Sequence, residues 1–301
     1  MSKKYSFMKF IFGFILLSLI IANIGFEKVY ITVKSFNAIY LIPVLVIYIL
    51  NFYAGAVNLS VLISKLNNKI KLSKLLRYNV LSWSFGMFVP GRLGEFSLIY
   101  YLEKEGIIYG EGLAISMLDK IISFVIFSVI SLIGCFIFFD IQTALKIFFV
   151  LSSILIVLLF LITSYKVRLF IRKSILRGYE GKLANFYKTF KEYFLKYKIA
   201  LMINGVVTFI KLVLMSIVLM LLFKGFNIEV GIITVLVITS MVTILSLIPI
   251  SISGLGIREI TYVYMFNMMN IPSNISLSVS LITLVINYTM GLSILTFFKI
   301  K

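Results

Sequence analysis

The chain has 301 residues, 61% of them hydrophobic, a mean hydropathy of +1.10 and a formal charge of +18 from 29 Lys+Arg against 11 Asp+Glu. Soluble domains hold about half apolar residues, so the composition excludes one and predicts a single polytopic membrane domain over 1–301. With no histidine and one cysteine, Cys135 in an apolar run, it also excludes His-based catalysis, most metal sites and an internal disulfide. The basic residues lie in loops between apolar runs, which suits anionic headgroups at a membrane surface. No nucleic-acid partner, metal or cofactor is expected.

Lys3 and Lys4 precede an apolar stretch without a small-x-small cleavage site, so a retained first helix is predicted at 7–25. A short loop carrying Glu27, Lys28 and Lys34 follows, then a helix at 38–63 with Pro43 in its first turns. Asn51 and Asn58 are seven residues apart on one face of it and should bond neighbouring helices. Lys65, Lys69, Lys71, Lys74 and Arg77, with no acid among them, mark a cytoplasmic loop at 64–77.

Residues 78–89 are too few to cross a hydrocarbon core that needs about 20 helical residues. Pro90 lacks an N–H and cannot continue them, while Gly91 and Gly94 permit backbone angles closed to other residues. Val89-Pro90-Gly91-Arg92-Leu93-Gly94-Glu95 therefore reads as an unwound corner between half-helices. Asp119-Lys120 is placed at the start of an apolar helix at 121–139, where structural placement of the pair is expected. Asp140 to Thr143 makes a tight turn before a helix at 144–165. Ten basic residues at 166–198 against Glu180 and Glu192 give the strongest cytoplasmic signal. Helices are predicted at 199–223, 230–250 and 276–298.

Pro249, Gly254, Gly256, Arg258 and Glu259 form a second corner, and paired Gly/Pro interruptions point to a transporter's binding site. If the N-terminus and both basic loops are cytoplasmic, residues 78–102 enter and leave on that side. Residues 230–270 then leave and return on the outer side, and the corners approach from opposite faces. The expected fold is an all-α helix bundle with two interrupted or re-entrant helix pairs, in a pattern resembling an inverted repeat, in the cell membrane.

At each corner a helix N-terminus would offer free N–H groups to an anion. Arg92 and Arg258 add forked donors suited to phosphate. Glu95 and Glu259 either orient them, titrate, or simply lock each corner through an ion pair. Lys211 falls near the bilayer centre, where a charge costs several kcal/mol unless it pairs, snorkels or reaches water. It is a candidate second phosphate contact, a partner for an acidic corner residue, or a snorkelling side chain. Gly254-Leu255-Gly256 has no strand–helix context and is no nucleotide fingerprint. Tyr100, Tyr101, Tyr262 and Tyr264 read as interfacial anchors or packing.

Pro-Gly-Arg-Leu-Gly-Glu at 90–95, Asp-Lys at 119–120 and Pro-x4-Gly-Leu-Gly-Ile-Arg-Glu at 249–259 together resemble one family. It is the flippase-like integral membrane family typified by the transmembrane region of lysylphosphatidylglycerol synthases. The resemblance implies a multi-helix bundle that moves a lipid between leaflets, and it departs at Asp119-Lys120, where the family often has Glu-Arg. The large synthases add a soluble aminoacyl-transfer domain; this sequence ends at Lys301 after its last helix, so a self-contained lysyltransferase is not expected. Three readings stand: a translocator of phosphate-bearing lipids, phospholipid or polyprenyl-phosphate-linked; a membrane-bound aminoacyl- or glycosyltransferase; or a membrane partner that anchors a separate synthase subunit through the loop at 166–198.

Overall fold

The structure is a computed structural model that describes residues 3–66, 68–163, 185–248 and 250–298. Pro249 and residues 166–184 of the second predicted basic loop lie outside the described residues. In chain order the α-helices are α1 Lys3–Ile24, α2 Phe26–Lys34, α3 Leu41–Ile63, α4 Leu72–Met87, α5 Leu98–Lys104 and α6 Tyr109–Phe138. They continue with α7 Ile141–Thr163, α8 Phe186–Leu195, α9 Lys198–Lys224, α10 Ile232–Ser246, α11 Ile257–Asn267 and α12 Ser273–Phe297.

Ala38–Leu66, Tyr109–Phe138, Lys198–Lys224 and Ser273–Phe297 are long and apolar enough to cross a membrane. The bent pair Met8–Ile24 and Phe26–Lys34, turned by 88°, adds a fifth crossing if it counts as one span. The chain is an all-α, multi-pass membrane protein.

Several predicted boundaries move: α4 starts at Leu72, inside the stretch read as a loop at 64–77, α8 lies within the one read at 166–198, and α7 starts at Ile141, inside the turn read at 140–143. The loop expected after the first helix is the helix α2, set off by Gly25 at φ 101°, with Val29 and Thr32 buried three residues apart. Its short amphipathic period is masked in sequence by the charges of Glu27, Lys28 and Lys34. The helix expected from 121 begins at Tyr109, so Asp119 and Lys120 stand well inside it. Gly110 and Gly112 do not break the helix: both are buried, and Gly112 faces Ile99 and Leu102 of α5. The span expected at 230–250 shortens to α10, whose 15 residues reach about 22 Å at 1.5 Å per residue. That falls short of a hydrocarbon core of about 30 Å, as do the 16 residues of α4.

Both interrupted pairs are present, α4 with α5 and α10 with α11. α3 and α9 pack along each other between them, with Asn51 Nδ2 donating to Lys211 O at 2.9 Å and Asn58 Nδ2 to Thr208 Oγ1 at 3.2 Å. The predicted asparagine face of α3 is thus the seam of the bundle. One hydrophobic core, with Tyr48, Phe52, Phe223, Ile238 and Phe266, surrounds α10–α12. Another, with Leu62, Leu75, Leu102, Leu118 and Tyr193, surrounds α4–α6 and draws in α8. The two corners meet where these halves join. Pro90 and Ile252 form an isolated antiparallel bridge, and Ser253 Oγ lies 3.8 Å from Met87 Sδ. The pairing is possible because each corner leaves backbone groups that no helix uses.

Candidate functional site

The first corner is a chain of tight turns. Arg92 N donates to Val89 O at 3.1 Å, Leu93 N to Pro90 O at 3.4 Å and Glu95 N to Arg92 O at 3.0 Å. Gly91 has φ 61°, the left-handed region that favours glycine, and Arg92 follows it there at φ 57°. A non-glycine residue held in that region costs on the order of 1–3 kcal/mol and persists only where its surroundings impose it. Gly94 serves a different purpose from the one expected. Its φ is not positive; instead, a Cβ there would fall on the Phe85 carbonyl and within 2.8 Å of Gly86 N. Gly86 in turn gives room to Glu95, whose Cγ would lie 2.6 Å from a Cβ at 86. Backbone packs on backbone, and the turn at 93–97 closes directly over the end of α4.

This closure aims Glu95 into a cluster of charges. Arg92 Nε approaches Glu95 Oε1 to 2.7 Å, although its N–H is not aligned on the carboxylate as a hydrogen bond. Lys120 Nζ donates to Glu95 Oε2 and stands 3.7 Å from Asp119 Oδ2. Asp119 Oδ1 accepts from Asn58 Nδ2 at 3.1 Å and from Asn204 Nδ2 at 3.2 Å. Lys211 is within electrostatic reach of Asp119, Lys120, Glu95 and Arg92. The cluster thus draws on α3, α6, α9 and the first corner. Its three cations against two carboxylates leave a formal excess of one positive charge.

The acids and bases of this cluster are not equally accessible. The side chains of Glu95 and Asp119 are 13% and 14% exposed, those of Arg92 and Lys120 29% and 45%. The two carboxylates are thus more buried than Arg92 and Lys120. Sequence reasoning placed Arg92, Glu95 and Lys211 as candidates, and the structure brings all three together. It did not place Asp119-Lys120, Gly86 or Asn204 at this corner, and read Asn58 only as a contact between helices. An Asp-Lys pair in apolar sequence was the available signal, and its placement at a helix start hid it.

On the outer rim, Glu105 accepts from Lys74 Nζ at 2.8 Å and from the Tyr78 hydroxyl at 2.6 Å. Those two bonds, the lysine's first, hold its carboxyl below the usual range despite some desolvation. They tie the start of α4 to the end of α5 and fix the two arms of the corner.

The second corner is arranged differently. Ser253, Gly254 and Gly256 all have positive φ, at 52°, 78° and 81°. Glu259 is 3% exposed, and its Oε2 accepts from Gly256 N at 2.6 Å. A carboxylate of the chain itself therefore occupies the N-terminus of α11, where an anion was expected. The first corner leads into a 3-10 turn and the seven-residue α5, so neither corner offers a free helix N-terminus.

Arg258 bonds the Tyr262 hydroxyl, with Tyr48 and Glu259 nearby. Tyr48 in turn donates to Asn287 Oδ1 at 3.0 Å. Arg258, Glu259, Tyr262, Ser280, Asn287 and Tyr288 line a cavity of about 20 Å³, room for about one water molecule. A phosphate group does not fit. Arg92 and Lys120 of the first corner are partly exposed, whereas the space at Arg258 is small. A family model described as the lysylphosphatidylglycerol synthase TM region matches residues 6–294. No curated protein and no solved structure gives a match.

Proposed function

We propose that this chain, which belongs to the family of lysylphosphatidylglycerol synthase transmembrane regions, moves a phosphate-bearing lipid between the leaflets of the cell membrane. The observation that carries the reading is the cluster at the first corner, with its formal excess of one positive charge and its two partly exposed cations, Arg92 and Lys120. A phosphodiester carries one negative charge and presents the planar pairs of oxygens that an arginine fork matches. Glu95 already occupies the cations as such a group would. An arriving phosphate takes over Arg92 and Lys120 while Asp119, fixed by two asparagine amides, stays in place. The acyl chains remain in hydrocarbon and only the headgroup enters the corner.

The small cavity at Arg258 supports a sequence of events in which the second corner receives the headgroup only after it widens. The contact between Pro90 and Ile252 makes the corners neighbours, so the headgroup passes between them without crossing bare hydrocarbon. The test is reconstitution of the purified chain in liposomes with several labelled lipids, phospholipid and polyprenyl-phosphate-linked. Exchange between leaflets supports the reading. A lipid product made from a supplied donor without exchange points to a transferase, and neither outcome points to a membrane partner of a separate synthase.

Orientation follows the basic loops, with the N-terminus cytoplasmic and 78–102 re-entrant from that side. Single cysteines at Lys71 and Glu105 in a Cys135→Ser background then react with impermeant reagents from the cytoplasmic face alone. Labelling of the Glu105 position from outside would mean that the segment crosses. Lys211 gives a separate prediction. Lys211→Met inserts normally and loses most exchange, while Lys211→Arg keeps part of it; full exchange in the methionine variant, in the same liposome assay, would remove Lys211 from the site.

A further inference from the structure

α1 and α11 run side by side from a tight crossing to an open end. At the crossing, a Cβ on Gly256 would stand 2.6 Å from Leu16 Cβ and 2.7 Å from Gly13 O, and one on Gly13 would stand 2.9 Å from Leu255 O. Beyond it the facing stripes are Leu16, Leu19 and Ile20 on α1 and Ile260, Val263 and Tyr264 on α11, spaced three to four residues apart as one helix face requires. The stripes flank an open groove of about 600 Å³. Leu19 is 60% exposed and Tyr264 57%, so protein does not fill it.

The groove is apolar along its length and polar at one end, where Asn23, Asn267 and Ser273 stand. Asn267 Nδ2 donates to Ser273 Oγ at 2.9 Å, whereas the exposed Asn23 amide has no partner among the described residues. Two residues past Asn23 the chain turns by 88° into α2. That helix packs Val29 and Thr32 inside the protein and exposes Phe26, Tyr30 and Ile31 beside Glu27, Lys28 and Lys34, a mix of apolar and charged side chains that suits the headgroup boundary. The polar end of the groove is thus at the depth of lipid ester groups, and its apolar length runs inward from there. An amphiphile with one polar end and an apolar tail matches this polarity.

We propose that this groove binds one acyl chain of a membrane phospholipid, with its ester end at Asn23 and Asn267 and its tail toward Leu16 and the second corner. The site stands whether or not the chain moves lipid. The test uses the full chain in vesicles of phosphatidylglycerol and phosphatidylethanolamine containing a trace of phospholipid with a diazirine on its acyl chain. After irradiation, labelled peptides are mapped by mass spectrometry. Residues 19–24 and 260–264 should carry roughly tenfold more label than the exposed, lipid-facing region around Val129, the ratio given by about 1.4 kcal/mol of preference. Leu19→Trp/Ile260→Trp should abolish that excess and leave labelling near Val129 unchanged. Equal labelling of the groove and the Val129 region in the native chain overturns the proposal. So does a disulfide-linked dimer formed by Leu19→Cys, which would show a second copy seated there.

Discussion

Arg92→Ala lowers lipid exchange by about tenfold to a hundredfold, because losing a charge-assisted contact to phosphate removes about 1.5–3 kcal/mol and each 1.36 kcal/mol is a factor of ten in rate. The protein still folds, since Arg92 is partly exposed and Glu95 keeps Lys120 as its partner when Arg92 is removed. Arg92→Gly is the matching control. Its backbone enters the left-handed region without strain, so it removes the charge while relieving the φ of 57°. Both variants should lose the same exchange. If only alanine fails, the residue matters for its backbone conformation and the charge is incidental. Arg92→Lys rescues only in part, as a point charge replaces a forked donor.

Lys120 sharpens the experiment. In Arg92→Ala the carboxylate of Glu95 still has Lys120, so loss of Arg92 leaves no unpaired acid behind. If the corner were only a structural lock, Arg92→Ala/Glu95→Gln would restore exchange at matched protein levels. On the present reading the double variant stays defective, because the phosphate has still lost its fork. Lys120→Met should resemble Arg92→Ala in size, and a wild-type rate in Lys120→Met would take that lysine out of the site.

Gly94→Ala is expected to do the greatest structural damage of any single methyl group at the corner. The added carbon would land on the Phe85 carbonyl and beside Gly86 N, and backbone cannot move aside as a flexible side chain can. Overpacking of this kind costs about 1–3 kcal/mol and occasionally more; with backbone on both sides the upper part of that range applies. The turn at 93–97 then lifts off α4 and carries Glu95 away from Lys120. Thermal unfolding in detergent should drop by several degrees and exchange should be lost. Gly91→Ala should cost less, about 1–2 kcal/mol for an L-residue in the left-handed region. A Gly94→Ala protein with wild-type stability and exchange would show that the close approach is not needed.

Much of this protein is determined locally and was therefore legible in the sequence. Apolar runs of membrane length, the breaks at Pro90 and Gly254, and the asparagine face of Asn51 and Asn58 depend on residues within a few positions of one another. So does the presence of Arg92, Glu95 and Lys211 in surroundings where a charge is costly. The tertiary structure decided how these pieces sort. Asp119 and Lys120 joined the first corner because α6 runs unbroken from Tyr109, with Gly112 packed on α5 instead of ending a helix. Arg92 and Arg258, equivalent in sequence, parted: Glu95 turned toward Arg92 and Lys120, while Glu259 capped its own helix and left Arg258 to Tyr262. The pairing of Pro90 with Ile252 joins residues 162 positions apart. No local preference encodes such a contact; it forms only when α3 and α9 bring the two halves of the bundle together and bury the backbone groups that each corner leaves unused.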